Sequence, residues 1–316
     1  MSSAILDLEA VMAHGRFEIF ENYTAVPLFL MSRTDLTLGA QPSLPFVHSY
    51  SSADNRMRTL GIGTSDSFNI YLAGDSQTFA NIDLILASGE QIHFDRFSRG
   101  TGYADAKLRA GAYMGSPFSK ATLQWNSNGW DLLARDGWTY KFPASGPGRG
   151  VQESSLLRIE AGPGRVFAIE RTPEADLRRA QAPDGSWIEF TCDSMHRIAR
   201  AKKSSGRAVE YEYDQAGRLV HIRDLENGDE FHQYDPVNRL TRVLDAKGHS
   251  LLQNTYGYSG EITSQTLAYG RKLQYEYGWD PNRTPSYLKL TDPNGYVIEW
   301  WQTKSGILWT LPKRPN

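Results

Sequence analysis

Residues 206–245 read GRAVEYEYDQAGRLVHIRDLENGDEFHQYDPVNRLTRVLD, and the two halves of this line say nearly the same thing. Each half opens on a glycine (Gly206, Gly228). Each runs through aromatic residues to an aspartate (Tyr211, Tyr213, Asp214; Phe231, Tyr234, Asp235) and resumes after a turn at an Arg-Leu pair (Arg218-Leu219; Arg239-Leu240). An aliphatic residue follows three positions later (Ile222; Val243), and an aspartate closes the unit (Asp224; Asp245). Self-similarity at a fixed period is the mark of a repeat architecture. The glycines that open successive units are Gly185, Gly206, Gly228, Gly248, Gly270 and Gly295, spaced 21, 22, 20, 22 and 25 residues apart. Such a unit is too short for a strand plus a helix. It fits two strands and two turns, which is one β-hairpin.

Within the best-formed unit, Val209, Tyr211 and Tyr213 fall on one face of a strand, with Glu210 and Glu212 on the other. The return strand breaks this alternation, because Leu219 and Ile222 lie three apart. The same offset recurs at Ile198/Ala201 and Leu240/Val243. A violation of period two that repeats with the unit predicts a β-bulge. The turns carry Asp-Gly, Ala-Gly, Asn-Gly and Lys-Gly pairs, in which glycine supplies the positive φ of a tight reversal.

Outward from this stretch, short alternating runs (Phe68–Leu72, Ile82–Leu86, Gln91–Phe94, Thr122–Trp125, Trp138–Phe142) separated by Gly-, Ser- and Asp-rich turns read as further strands. Earlier apolar runs at Phe17–Phe20, Leu28–Met31, Leu36–Leu38 and Phe46–Tyr50 are punctuated by Pro27, Gly39, Pro42 and Pro45. Residues 3–14 have the spacing of an amphipathic helix, with Ser3 as N-cap and Gly15 beyond its end. Downstream the units degrade: Thr255–Ser259 reads TYGYS, and the unit at Gly295 has no aspartate after its aromatics. The expectation is an all-β chain in three parts. Residues 1–30 form a helix and lead-in, 31–150 an antiparallel β region, and 151–316 a strip of about six degenerate hairpin units, the break falling in the Gly/Pro-rich 144–150.

Composition narrows the function classes. The 316 residues carry a formal charge of −2 with acids and bases interspersed, which gives no electrostatic case for nucleic acid. One cysteine, Cys192, permits neither an intramolecular disulfide nor a Cys-based metal site. No apolar run is long enough to span a bilayer as a helix, and no basic n-region precedes Arg16. The seven histidines lack metal-ligand spacing, and no cofactor motif is present. Asp193, Ser194 and His196 are close in sequence, but they occupy the turn of a degenerate unit. A catalytic triad is recognised by geometry, not by proximity in sequence. Lys202, Lys203 and Arg207 read as a solvated turn. Asp292-Pro293-Asn294-Gly295 reads as a turn within the array.

One constellation carries a functional candidate. Tyr211, Tyr213, Tyr234, Tyr256, Tyr258, Tyr275, Tyr277, Trp300 and Trp301 recur at matching positions. Two roles compete for them: packing across strands to hold the strip together, or a platform that stacks sugar rings.

The run Tyr211-Glu212-Tyr213-Asp214-Gln215-Ala216-Gly217-Arg218-Leu219 resembles the YD repeat of the bacterial Rhs family, whose relatives include the toxin-complex C component and the teneurins. Weaker copies lie at Phe231–Leu240 and Glu189–Ile198. Upstream, Thr34–Leu38, Leu44–Ser52 and Leu60–Gly63 resemble the segment that opens the repeat region in Rhs proteins, with Gly63-Thr64 where a Gly-Trp is usual. The resemblance implies a β-strip spiralling into a hollow shell around a toxin. The units read here are few, and neither the family's self-cleaving core segment nor a toxin domain is read after them, so the chain is expected to be either a truncated piece of a larger shell or a small member that does something simpler. The expected function is a non-enzymatic shell segment associated with a bacterial toxin or secretion system. Its partners would be protein: the remaining shell, toxin cargo or a secretion component. The alternative is a carbohydrate or cell-surface glycan binder using the aromatic ladder. The chain is expected to be made in the cytoplasm and, if exported, to leave by a dedicated system, with its edge strands prone to self-association.

Overall fold

The computed structural model describes residues 29–74, 79–112, 116–144, 154–281, 285–303 and 306–309. The helix expected over 3–14 and the strand at Phe17–Phe20 lie outside these residues. The chain is all-β: among the described residues there is no α-helix, and a one-turn 3-10 segment lies at Ala268–Gly270.

Two sheets divide the work. Residues 30–66 form a small antiparallel sheet, in which Leu44–Ser51 lies between Leu30–Leu38 and Thr64–Asp66, with a two-residue hairpin (Met57–Arg58, Gly61–Ile62) at its end. From Tyr71–Gly74 to Gly306–Trp309, every strand pairs antiparallel with its sequence neighbour, so the second sheet is one long meander. The strands on either side of residues 145–153 belong to this same sheet, since Thr139–Pro143 pairs with Arg158–Glu160. The boundary placed at 150/151 therefore falls between two paired strands of one sheet. The stretch read as a single N-terminal β region is two structures: the small sheet, and the opening strands of the strip itself.

The strip curls back on itself early. Tyr71 bridges Ser155, and the Leu156 amide donates to the Ile70 carbonyl at 2.8 Å. The first strand thus finds a second neighbour, and the opening turn of the strip closes. Right-handed strand twist makes a long antiparallel sheet roll in this way.

The unit is a hairpin with the bulge its spacing requires. Tyr213 lies opposite Leu219 while Glu212 lies opposite His221, leaving Val220 as the extra residue. The same step occurs at Cys192/Ile198, Tyr234/Leu240 and Tyr256/Ile262. The extra residue is what shifts the inward side chains from Leu219 to Ile222. Val209 and Tyr211 are buried, and Glu212 is exposed, as alternation demands.

The inward face packs on the small sheet in two apolar clusters. One joins Leu36, Leu38, Phe46, Leu60 and Phe68 to strip residues as far as Ile222. The other joins Phe29, Met31 and Tyr50 to Leu240, Val243, Leu252, Ile262 and residues up to Leu288. The gap between them falls at Glu230–Tyr234, within the repeated line itself.

Candidate functional site

The site is the inner face where the repeat turns meet the small sheet. Its chemistry begins with the turn after each tyrosine. In three consecutive units an aspartate accepts the amide of an arginine four residues on and pairs with its guanidinium. Asp193 Oδ1 accepts from Arg197 N at 3.0 Å, Asp214 from Arg218 N at 2.9 Å and Asp235 from Arg239 N at 2.9 Å. The matching carboxylate–guanidinium distances are 2.7, 2.6 and 2.6 Å. Burial alone would raise the Asp193 and Asp214 carboxyls. The arginine amide and guanidinium reverse that and hold both below the usual carboxylate range.

Each arginine then covers the ring of the next unit's tyrosine. Arg197 lies over Tyr213 at 4.1 Å, Arg218 over Tyr234 at 5.4 Å and Arg239 over Tyr256 at 4.8 Å. Such contacts contribute about 0.5–1 kcal/mol each at exposed sites and more where water is excluded. The tyrosine hydroxyl reaches back to the previous unit: Tyr213 donates to the Ile198 carbonyl at 2.5 Å, Tyr234 to Leu219 at 2.8 Å, Tyr256 to Leu240 at 2.8 Å and Tyr277 to Ile262 at 2.6 Å. Desolvation raises the pKa of all four phenols, so each stays a donor.

The small sheet engages the same bulged turns. Ile198 N donates to the Thr59 carbonyl at 2.8 Å, and Ile62 N to Gly217 at 2.9 Å. The Tyr50 hydroxyl donates to Asn238 O and accepts from Leu240 N, each at 2.9 Å. A bulge leaves backbone groups without a ladder partner. Here the small sheet takes them up, one unit after another. Gly217 is favoured for its φ of +93°; the atom nearest a Cβ there, Met57 Cε, is the tip of a flexible, exposed side chain that can move aside.

Between the two apolar clusters lies a buried polar seam. In the second half of the repeated line, Glu230 and His232 occupy the inward positions that Val209 and Tyr211 hold in the first. Arg33 forms an ion pair with Glu230. His48 Nδ1 is 2.8 Å from Asp35 Oδ1, and the Tyr211 hydroxyl donates to Asp35 Oδ2 at 2.6 Å. The His48 and His232 rings are 6.4 Å apart, and the Nε2 atom of each is buried with no hydrogen-bond partner among the described residues. Burial first, then the charges of His48 and Arg33, push the His232 imidazole down to about 3. An Asp–His pair can orient an imidazole for acid–base chemistry, but His48 is 0% exposed, and no substrate can reach it as the chain stands. Among the described residues no group of three or more His, Cys, Asp or Glu could hold a metal ion.

Most of the aromatic ladder is used up by this packing. Tyr211 is 3% exposed and Tyr275 6%. Tyr213, Tyr234, Tyr256 and Tyr277 are half-buried, with their hydroxyls bound as above. Trp301 is half-buried with its ring 5.5 Å from Tyr287. Trp300 pairs through its backbone with Leu288. Tyr258 stands out at 99% exposed, because it sits at the tip of a turn outside the ladder register. Tyr213, Tyr234 and Tyr256 lie under a guanidinium and Tyr211 and Tyr275 are buried, which leaves these five little open face for a sugar ring. The packing also refines the cohesion reading. The tyrosines bind carbonyls and guanidinium groups of the preceding unit instead of stacking on one another.

The other sequence candidates are structural. Asp193 is the aspartate of the first arginine pair, and His196 Nδ1 meets Asp176 at 2.9 Å. Arg207 is not a solvated base but pairs with Asp224 at 2.8 Å. Asp292 to Gly295 closes a turn by a 3.0 Å backbone bond. The residues that sequence reasoning missed are Arg33, Asp35, His48, Tyr50, Glu230 and His232. A signal for the last two existed: aligning the two halves of residues 206–245 places polar side chains at inward positions. An open groove of about 620 Å³ near Lys141 has its charges internally compensated, by Lys141–Asp131 at 3.1 Å and Arg158–Glu160 at 3.7 Å. No helix among the described residues is long and apolar enough to cross a membrane.

Comparison with known proteins yields one family model. Residues 28–94 match a domain of unknown function, DUF6531, which spans the small sheet and the first strands of the strip. No curated protein matches the chain. Solved structures that are similar include a TcdB2–TccC3 complex without its hypervariable C-terminal region (TM-score 0.39, 11% identity, 90% of this chain and 15% of that one). Another is a Photorhabdus luminescens Tc holotoxin pore (TM-score 0.27, 10% identity, 89% of this chain and 20% of that one). The chain thus spans a fifth or less of the length of these structures, which are parts of toxin complexes.

Proposed function

We propose that this chain is a non-enzymatic segment of an Rhs-type β-shell, working as a structural part of a toxin-associated or secretion-associated assembly. The observation that carries the reading is the use of the repeated Tyr-Asp-Arg groups. The tyrosine and arginine of each reach a neighbouring unit, and the inner face is filled by two apolar clusters and the polar seam between them. Such an arrangement builds a wall. The sequence resemblance at Tyr211–Leu219 supports the same reading, and it supplies the partner class: further shell polypeptide, enclosed cargo or a secretion component.

The test is co-expression with the polypeptides encoded beside it, followed by limited proteolysis. A shell segment should co-purify with a partner and lengthen that partner's survival, and the protection should fall when Tyr213→Ala and Tyr234→Ala loosen the wall. A partner equally protected by the double variant, or a chain that hydrolyses or selectively binds glycans on an array, would sink the proposal.

A further inference from the structure

The turn at Gly257–Glu261 departs from the pattern of its three predecessors in a way that points to a ligand. At Asp193, Asp214 and Asp235 the carboxylate sits on the first turn residue, and the arginine four positions later covers the next tyrosine ring. In the fourth unit glycine replaces the aspartate (Gly257) and glutamate replaces the arginine (Glu261). The Glu261 side chain folds back into the space an aspartate would fill, since a Cβ on Gly257 would lie 1.9 Å from Glu261 Oε1. The carboxylate is therefore retained while the guanidinium is deleted.

The rest of the step is intact. Gly260 keeps the turn's positive φ, at +89°. The Gly257 carbonyl still accepts from Arg239 Nη1 at 3.3 Å, as the Asp235 carbonyl accepts from Arg218 at 3.2 Å. Tyr277 still reaches back to Ile262. Glu261 Oε2 is buried and has no hydrogen-bond partner among the described residues. The ring of Tyr277 instead neighbours Trp279, at 6.1 Å, and Trp279 is partly open to solvent. A buried carboxylate oxygen without a donor is costly, and a carboxylate beside aromatic rings is a receptor for a cation.

We propose that Glu261, Tyr277 and Trp279 form a docking site for an arginine side chain of a partner polypeptide. The partner's guanidinium completes the fourth step: it draws the partly exposed Glu261 side chain out of its covered position to pair with it, and it covers Tyr277 as Arg197, Arg218 and Arg239 cover the tyrosine of the next unit. Guanidinium is favoured over ammonium because all three template steps use its planar fork to bind a carboxylate while lying over a ring. Tyr258, fully exposed at the tip of the same turn, supplies apolar surface beside the site for the partner's backbone. The inference does not depend on the shell reading, since the site would bind its arginine whatever the partner does.

The test uses the whole chain labelled with fluorotryptophan, with Trp279 assigned by Trp279→Phe. The probes are N-acetyl-arginine amide, N-acetyl-lysine amide and the neutral N-acetyl-citrulline amide. The arginine probe should shift the Trp279 fluorine resonance saturably, the citrulline probe should not, and Glu261→Gln should weaken the response several-fold. A Gly257→Asp/Glu261→Arg variant, which rebuilds the internal pair, should abolish probe binding while melting no lower than the parent. Circular dichroism of each variant separates lost binding from lost fold. An absent shift in the parent, an unchanged shift in Glu261→Gln, an equal response to the lysine probe, or retained binding in the rebuilt variant would each overturn the assignment.

Discussion

At the scale of the residue, the tyrosine hydroxyls and the seam histidine carry the sharpest consequences. Tyr213→Phe removes only the hydroxyl that binds the Ile198 carbonyl, leaving a half-buried acceptor unpaired, and should cost about 1 kcal/mol in urea unfolding. Tyr213→Ala also removes the ring beneath Arg197 and should cost about 3 kcal/mol or more. His232 gives a pH dependence with a definite sign. Its folded pKa, about 3, lies below the ordinary 6.5, so the unfolded chain binds the proton first. Its contribution is complete above the ordinary value and falls away as the pH drops from there toward the folded one. The urea midpoint should therefore decline on acidification, and His232→Phe should flatten that slope; an identical slope in the variant would remove His232 as its cause. None of this pairing could be read from residue type alone. Tyrosine spacing marked the positions, but it does not say whether a hydroxyl meets a carbonyl, a sugar or water.

At the scale of the element, the hairpin unit and its bulge were legible because both leave periodic traces. The three-residue interval between Leu219 and Ile222 is the bulge, written in sequence. The strands Lys107–Ala110 and Gly129–Leu133 carry no such trace: KLRA sets a single large apolar residue between basic ones, and GWDLL places its two leucines side by side instead of alternating. Turn chemistry yields two contrasts. Asn238 holds φ at +68° where its twin is Gly217. Asn238→Ala should cost about 1 kcal/mol, and Asn238→Gly should keep near-parental stability, because only the alanine strains the left-handed conformation. Gly206 and Gly61 share a positive φ, but a Cβ on Gly206 meets open space, while one on Gly61 would lie 2.6 Å from the Gly217 carbonyl. Gly61→Ala should accordingly lower the melting temperature markedly more than Gly206→Ala. Equal losses would mean that conformation alone, and not contact between the small sheet and the repeat, governs Gly61.

At the scale of the whole molecule, two apolar clusters meet at a polar seam, and only the first is bound into the closed turn of the strip. The seam should act as a line of partial uncoupling. Hydrogen exchange is expected to open amides of Ser250–Tyr256 and Lys272–Trp279 at a lower free energy than those of Trp187–Cys192 and Ala208–Tyr213; uniform protection across both sets would contradict this. The long-range architecture was the least legible part. Neither the return of the strip to Ser155 nor the seating of residues 29–69 on the inner face leaves a period in sequence, because each depends on contacts between segments tens to hundreds of positions apart. The backward reach of the tyrosines has one more consequence, for synthesis. Both side-chain contacts of Tyr234 described above, to the Arg218 guanidinium and the Leu219 carbonyl, lie earlier in the chain. The same is true of Tyr213 with Arg197 and Ile198, and of Tyr256 with Arg239 and Leu240. The tyrosine of a unit leaving the ribosome therefore finds its guanidinium and its carbonyl already made, so each new unit can fasten to the one before it in the order of translation, with the small sheet as the first template.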